Sequence, residues 1–221
     1  MKTTITVLAG LAIAGAASAD IRITEWAYSS GIGEFVEFTN LGAAPVDMTG
    51  WRYDDDSADF ASGFDLSGFG IVQPGESVVI TEAAESDFRA DWQLPASIKI
   101  LGGYTNNLGR NDQINLFDAA QTLIDRLTYG DQSIVGSIRT QSRSGVPTSL
   151  LAVGANDALL WGFADEVPGG GPFDLSGIAG TNGYLVSLSL DTGNPGYFVP
   201  APGVVSLAGL AGLMAARRRR A

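Results

Sequence analysis

Short apolar runs separated by glycine, asparagine, aspartate and serine set the rhythm of this chain. Residues 21–27 (IRITEWA) and 34–40 (EFVEFTN) alternate as strands do. In the second, Val36 and Phe38 fall on one face, with Phe35 and Glu37 on the other. Gly31 to Gly33 supplies the turn between them. A third strand is expected over 46–53, interrupted at Gly50. Gln73-Pro74-Gly75-Glu76 is a turn signal, and 77–81 (SVVIT) reads as a strand straight after it. Residues 83–92 form the best helix candidate, because Ala84, Phe88 and Trp92 share one stripe and Pro95 stops anything longer. Strands resume at 97–101, 113–117 and 123–129, the last two joined as a hairpin through 118–121. Residues 130–172 read as long loops, 184–190 (YLVSLSL) as a final strand, and Gly193-Asn194-Pro195-Gly196 as its exit turn. Strands at this spacing, without alternating helices, predict an all-β chain folded as a β-sandwich.

The two ends break the rhythm. Lys2, an apolar stretch and Ala17-Ser18-Ala19 before Asp20 have the form of a secretory signal peptide, with Ala17 and Ala19 as the small residues of an A-x-A site cut before Asp20. At the other end, Val199-Pro200-Ala201-Pro202 precedes an apolar run over 203–216 and then Arg217, Arg218, Arg219 and Arg220. Such arginines resist translocation. The run spans about 21 Å as a helix, against a hydrocarbon core of about 30 Å. The expected organisation is a signal helix over 1–19, a domain over 20–198 and a hydrophobic helical tail over 199–221 that engages the membrane transiently or permanently.

Composition narrows the chemistry. The chain has 221 residues, no cysteine, no histidine and a net charge of −11. Lys2 and the four terminal arginines lie in the end segments, so the body is more acidic than the whole. Such a surface repels phosphate backbones and disfavours nucleic acid. A Ser-His-Asp or Cys-His triad is excluded, as is zinc held by His or Cys. Two kinds of site survive. Asp54, Asp56 and Asp59, in the densest acidic run, are candidate ligands for calcium, a hard cation that takes six to eight oxygens; no other cofactor is expected. Glu25, Glu34 and Glu37 are the carboxylates that a histidine-free glycoside hydrolase would need. Trp26, Tyr28, Trp92, Tyr104, Trp161 and Tyr197 are candidates for a sugar-binding platform, provided that several of the rings are exposed on one face.

The strand motifs resemble the lamin tail domain of bacterial proteins. The matching residues are Ile21, Ile23 and Glu25; Glu34 to Phe38 and Asn40; and Pro45, Val46, Asp47, Gly50 and Trp51. Downstream, Pro74-Gly75 before SVVIT, the LGRNDQINLFD block and the closing DTGNPG turn fit the same pattern, with Asn111 where the family has glycine. This resemblance implies an immunoglobulin-like sandwich acting as a binding or structural module. The C-terminal segment resembles the PEP-CTERM sorting signal, with Ala201 where Glu is usual. That resemblance implies a bacterial protein handled by an exosortase-like protease and delivered to the cell surface, outer envelope or extracellular matrix. The combined expectation is a structural or adhesive surface protein that is not an enzyme and has extracellular polysaccharide as a possible partner. Carbohydrate or calcium binding is the alternative, and a carboxylate-based hydrolase the remote one.

Overall fold

The structure is a computed structural model and describes residues 20–166 and 184–198. The strands are β1 (Ile21–Ala27), β2 (Phe35–Asn40), β3 (Val46–Asp47), β4 (Arg52–Asp54), β5 (Phe64–Asp65), β6 (Ile71–Val72), β7 (Ser77–Thr81), β8 (Lys99–Gly102), β9 (Asn111–Phe117), β10 (Leu123–Gly130), β11 (Gly145–Pro147), β12 (Trp161–Phe163), β13 (Leu185–Val186) and β14 (Thr192–Gly193). Among the described residues one α-helix, α1 (Glu85–Asp91), lies between β7 and β8. A six-stranded sheet runs β12-β11-β1-β2-β7-β8 and a four-stranded sheet runs β10-β9-β4-β5. The alternation read in β2 sets the layering. Val36 and Phe38 face the other sheet and join Ile21, Ile23, Trp26, Val78 and Ile80. Tyr53, Ile114, Leu116, Leu127 and Tyr129 meet them from the four-stranded sheet.

The two sheets are fastened where their strands bulge. β1 shifts register between Ile23 and Glu25, and β10 between Leu123 and Asp125. The irregularity frees backbone groups for new partners. Ile23 N–H donates to Asp125 Oδ2 at 2.9 Å, and Arg22 Nη1 donates to the Ile124 carbonyl at 2.7 Å.

The outer face of the six-stranded sheet is also covered. Phe35 and Val79 point outward and pack with Phe88 and Trp92 of the helical segment, Leu94 and Ile100. Fully burying a large apolar side chain stabilises by roughly 1.5–3 kcal/mol, so a seven-residue helix, too short to persist alone, is held by Phe88 and Trp92. The helix is the crossover that lets β8 run parallel to β7.

Several expectations are corrected. The described chain is mostly β but not all-β, and its larger sheet is mixed, because β8 pairs parallel with β7 after the helix. Neither of the expected flanking apolar helices is found among the described residues. Among the described residues no helix is long and apolar enough to cross a membrane, since the single α-helix reads ESDFRAD. The membrane anchor expected from the tail, and with it the membrane-anchored location, is therefore corrected. Residues 1–19 and 199–221, on which the signal and tail readings fall, lie outside the described residues. The strand expected over 46–53 is two strands in different sheets, parted where Gly50 takes a φ of +79°. The final strand expected over 184–190 reduces to β13, because the chain folds back at once and Ser187 N–H donates to the Asp191 carbonyl.

Candidate functional site

The outer face of the six-stranded sheet has a polar half beside its apolar half. Thr24 and Glu25 of β1, Glu37 and Thr39 of β2 and Ser77 of β7 are all buried there, as is Ser144 just before β11. Polar groups in such a position need partners, and residues 191–198 provide them. Asn194-Pro195-Gly196-Tyr197 forms a turn closed by Tyr197 N–H donating to the Asn194 carbonyl at 2.9 Å. Pro195 fits the second position of a type II turn and Gly196, with a φ of +88°, fits the third. The turn aims its N–H groups at the sheet. Asn194 N–H donates to Glu25 Oε1 at 2.6 Å and Gly196 N–H to Glu37 Oε2 at 2.7 Å. Phe198 N–H donates to Ser77 Oγ at 3.2 Å.

Glu25 and Glu37 sit opposite one another in the β1–β2 register, each 0% exposed. Glu37 is well supplied with donors: Thr24 Oγ1 at 2.5 Å and Thr39 Oγ1 at 3.4 Å reach Oε1, while Gly196 reaches Oε2. Glu25 Oε1 accepts from Asn194 and from the Ser144 hydroxyl, whereas Glu25 Oε2 is buried without a hydrogen-bond partner. Burial pushes the Glu37 carboxyl up to about 7, against the pull of Thr24 and the turn amides. Burial, reinforced by the charge of Glu37, raises Glu25 well above the ordinary range. No arginine or lysine forms an ion pair with either carboxyl among the described residues.

Gly193 lies where the turn touches the sheet. A Cβ there would stand 2.8 Å from Glu25 Oε1, 2.8 Å from Ser144 Oγ and 3.0 Å from the Trp92 ring. Gly193→Ala is therefore expected to destabilise by about 1–3 kcal/mol through overpacking. Urea unfolding of the variant beside the wild type checks this.

Glu34 is spent elsewhere. Its Oε2 accepts from Leu108 N–H at 2.5 Å and from the Tyr104 hydroxyl at 3.3 Å, and burial raises it to about 7. The three glutamates singled out for hydrolysis thus serve the chain's own donors. Glu25 and Glu37 are sealed under the closing turn and open to no cleft.

The acidic loop is organised by Asp54, which is 0% exposed. Its Oδ2 accepts from Ser57 Oγ at 2.5 Å and Asp59 N–H at 2.6 Å, and its Oδ1 from Asn106 Nδ2 at 2.5 Å. Asp59 turns to its own side, accepting from Ala61 N–H and Ser62 Oγ. Asp56 points instead toward an open groove of about 200 Å³, lined also by Asn111, Asp112, Gln113, Thr128, Tyr129 and Ser133. The structure does not gather Asp54, Asp56 and Asp59 around one point, and no group of three or more acidic, His or Cys side chains suited to a metal occurs among the described residues.

The aromatic candidates divide in the same way. Trp26, Trp92, Tyr104 and Trp161 are buried, leaving Tyr28 and Tyr197 half-buried, so these rings make no exposed platform. Trp51 is half-buried against the main core. Asn40 and Asp47 bond backbone groups in turns, as their residue types predict. Val199, Pro200, Pro202, Arg217, Arg218, Arg219, Arg220, Ala17 and Ala19 lie outside the described residues. Sequence reasoning missed Ser144, Asn194 and Asp125 as partners of β1. The DTGNPG turn was visible, but nothing local shows which strand it returns to.

Comparison with curated proteins finds no match. Comparison with protein families finds the Lamin Tail Domain over residues 14–131, more than half of the chain. The match takes in the strands from β1 to β10 and both buried glutamates, and stops before Ser144 and the closing turn. The chain belongs to the lamin tail domain family.

Proposed function

We propose that this chain is a secreted structural or adhesive module, sorted through its C-terminal segment to a cell-surface or extracellular matrix. The observation that carries the reading is the fate of its carboxylates. Glu25, Glu34, Glu37 and Asp54 are buried and bonded to the chain's own donors, so they serve cohesion rather than turnover. The sorting part of the proposal rests on the sequence of 199–221 and includes no membrane anchor. An exosortase-like protease and extracellular polysaccharide are proposed as its partners.

A second reading is ligand binding at the groove beside the acidic loop. It is favoured by Asp56, Gln113 and Thr128, whose side chains make no hydrogen bond or ion pair within the described chain. A sugar hydroxyl or a calcium ion would meet the same three groups. The test is co-sedimentation of the full chain with polysaccharide from its own source, with and without added calcium. Retention that survives Asp56→Asn supports adhesion by the module as a whole. Retention that calcium controls and Asp56→Asn abolishes supports the groove. Protein that stays in the supernatant throughout overturns the adhesive reading.

A further inference from the structure

The closing turn rests on two carboxylates that cannot both be charged cheaply. They face each other across neighbouring strands, fully buried and without a basic partner among the described residues. Two carboxylates in one dry site hold a proton between them, because one ionises at the expense of the other. The donors decide where that proton sits. Both Glu37 oxygens accept hydrogen bonds, so Glu37 is provided for as an anion. Glu25 Oε1 is likewise engaged, which leaves Glu25 Oε2 as the atom without a donor. The orphan atoms gather here: the Asn194 side-chain amide has both Oδ1 and Nδ2 buried and unpartnered, and its own backbone N–H is bonded to Glu25.

We propose that the Glu25–Glu37 pair holds one proton, carried on Glu25 Oε2, and that losing it in mildly alkaline solution releases residues 191–198 from the outer face of the sheet. The proton makes the segment an acid-tightened clasp. The other charged groups around it do not replace that proton. From the helix, Asp91 accepts from Ser189 Oγ at 2.8 Å. From the closing segment, Asp191 accepts from Gly31 N–H at 2.7 Å, and its charge opposes that of Asp91. Tyr197 is neutral at these pH values, its hydroxyl raised by burial. Arg143, beside Ser144, is held by Asp165 and Glu166. With no cation paired to it among the described residues, a second negative charge under the turn is opposed by its neighbours.

The sign follows from linkage. A carboxyl raised in the folded state binds more protons there than in the unfolded chain, so stability is full below the ordinary value of 4.5 and is lost as pH rises toward the raised folded-state value of Glu25. Each such proton changes the unfolding constant by up to tenfold per pH unit in that window. The test is urea unfolding of the full chain between pH 5 and 8.5 for wild type and Glu25→Gln, with hydrogen exchange over 184–198 corrected for intrinsic rates. Glu34 titrates in both proteins, so the difference between the two curves reads the pair. The expected result is a wild-type stability that falls with pH more steeply than that of Glu25→Gln, and exchange over 191–198 that rises with pH only in the wild type. Equal slopes, or wild-type protection unchanged to pH 8.5, overturn the proposal. Should Glu25→Gln fail to fold, carboxyl carbon shifts of the wild type decide it: one of the two glutamates titrating near neutrality supports the clasp, and both ionised at pH 5.5 contradicts it.

Discussion

Glu37→Ala is expected to destabilise the protein by about 3 kcal/mol, because several buried donors lose their acceptor together. Thr24 Oγ1, Thr39 Oγ1 and Gly196 N–H all turn to this carboxyl; both threonines are fully buried and Gly196 is half-buried. Replacing Glu37 by Gln keeps the volume and an acceptor, so its cost should be smaller, about 1 kcal/mol. Urea midpoints of the two variants at pH 6 check both the size and the order. The effect should also be local before it is global. Limited proteolysis of Glu37→Ala should cut first within 184–198, with the paired sheets surviving longer.

The second large effect belongs to the inner core. Trp26→Ala should destabilise by about 3–5 kcal/mol, the range for emptying a large aromatic site. Trp26 is 0% exposed and its ring lies 3.7 Å, centroid to centroid, from that of Tyr129 on the opposing sheet. Trp26→Phe should cost much less than Trp26→Ala, and the reason is specific. The indole N–H has no acceptor in the structure, so removing it forfeits no hydrogen bond and relieves a buried unsatisfied donor. Thermal or chemical unfolding of the pair distinguishes this from a site where the indole N–H matters, in which case the two variants would fall together.

How far the sequence reaches depends on the range of the interaction. The period-2 pattern of IRITEWA and EFVEFTN placed both strands and both faces of the second correctly, because a pleat is a local property. The stripe of Phe88 and Trp92 found the helix for the same reason. What the helix does to the sheet was hidden: β8 runs parallel to β7 only because the crossover returns it in that sense, and no residue of 97–101 carries that information. The apolar stretch 184–190 misled because hydrophobicity alone does not demand pairing; Leu188 is 66% exposed and Leu190 79% exposed.

The site was legible in part. Glu25 and Glu37 were legible, with Glu34, as three candidate carboxylates, but not as a facing pair. They do leave the main core, but a segment more than 150 residues downstream covers them. That covering is a non-local fact, set by the turn geometry of Pro195 and Gly196 and by the burial of Phe198. Asp54, picked as a calcium ligand from a run of acids, is instead a buried acceptor for its own loop. A composition-based reading weighs all the acids of a run alike, whereas the fold sends Asp54 inward and leaves Asp56 at the groove.

The measurement that tests the clasp most directly is amide hydrogen exchange of Asn194 and Gly196 in the wild-type protein at pH 6. If their N–H groups donate to buried carboxylates, both should exchange only through opening of the outer layer, orders of magnitude more slowly than a free loop amide. Exchange at the rate of an unprotected turn would mean that the glutamates do not hold the closing segment, and would contradict the account.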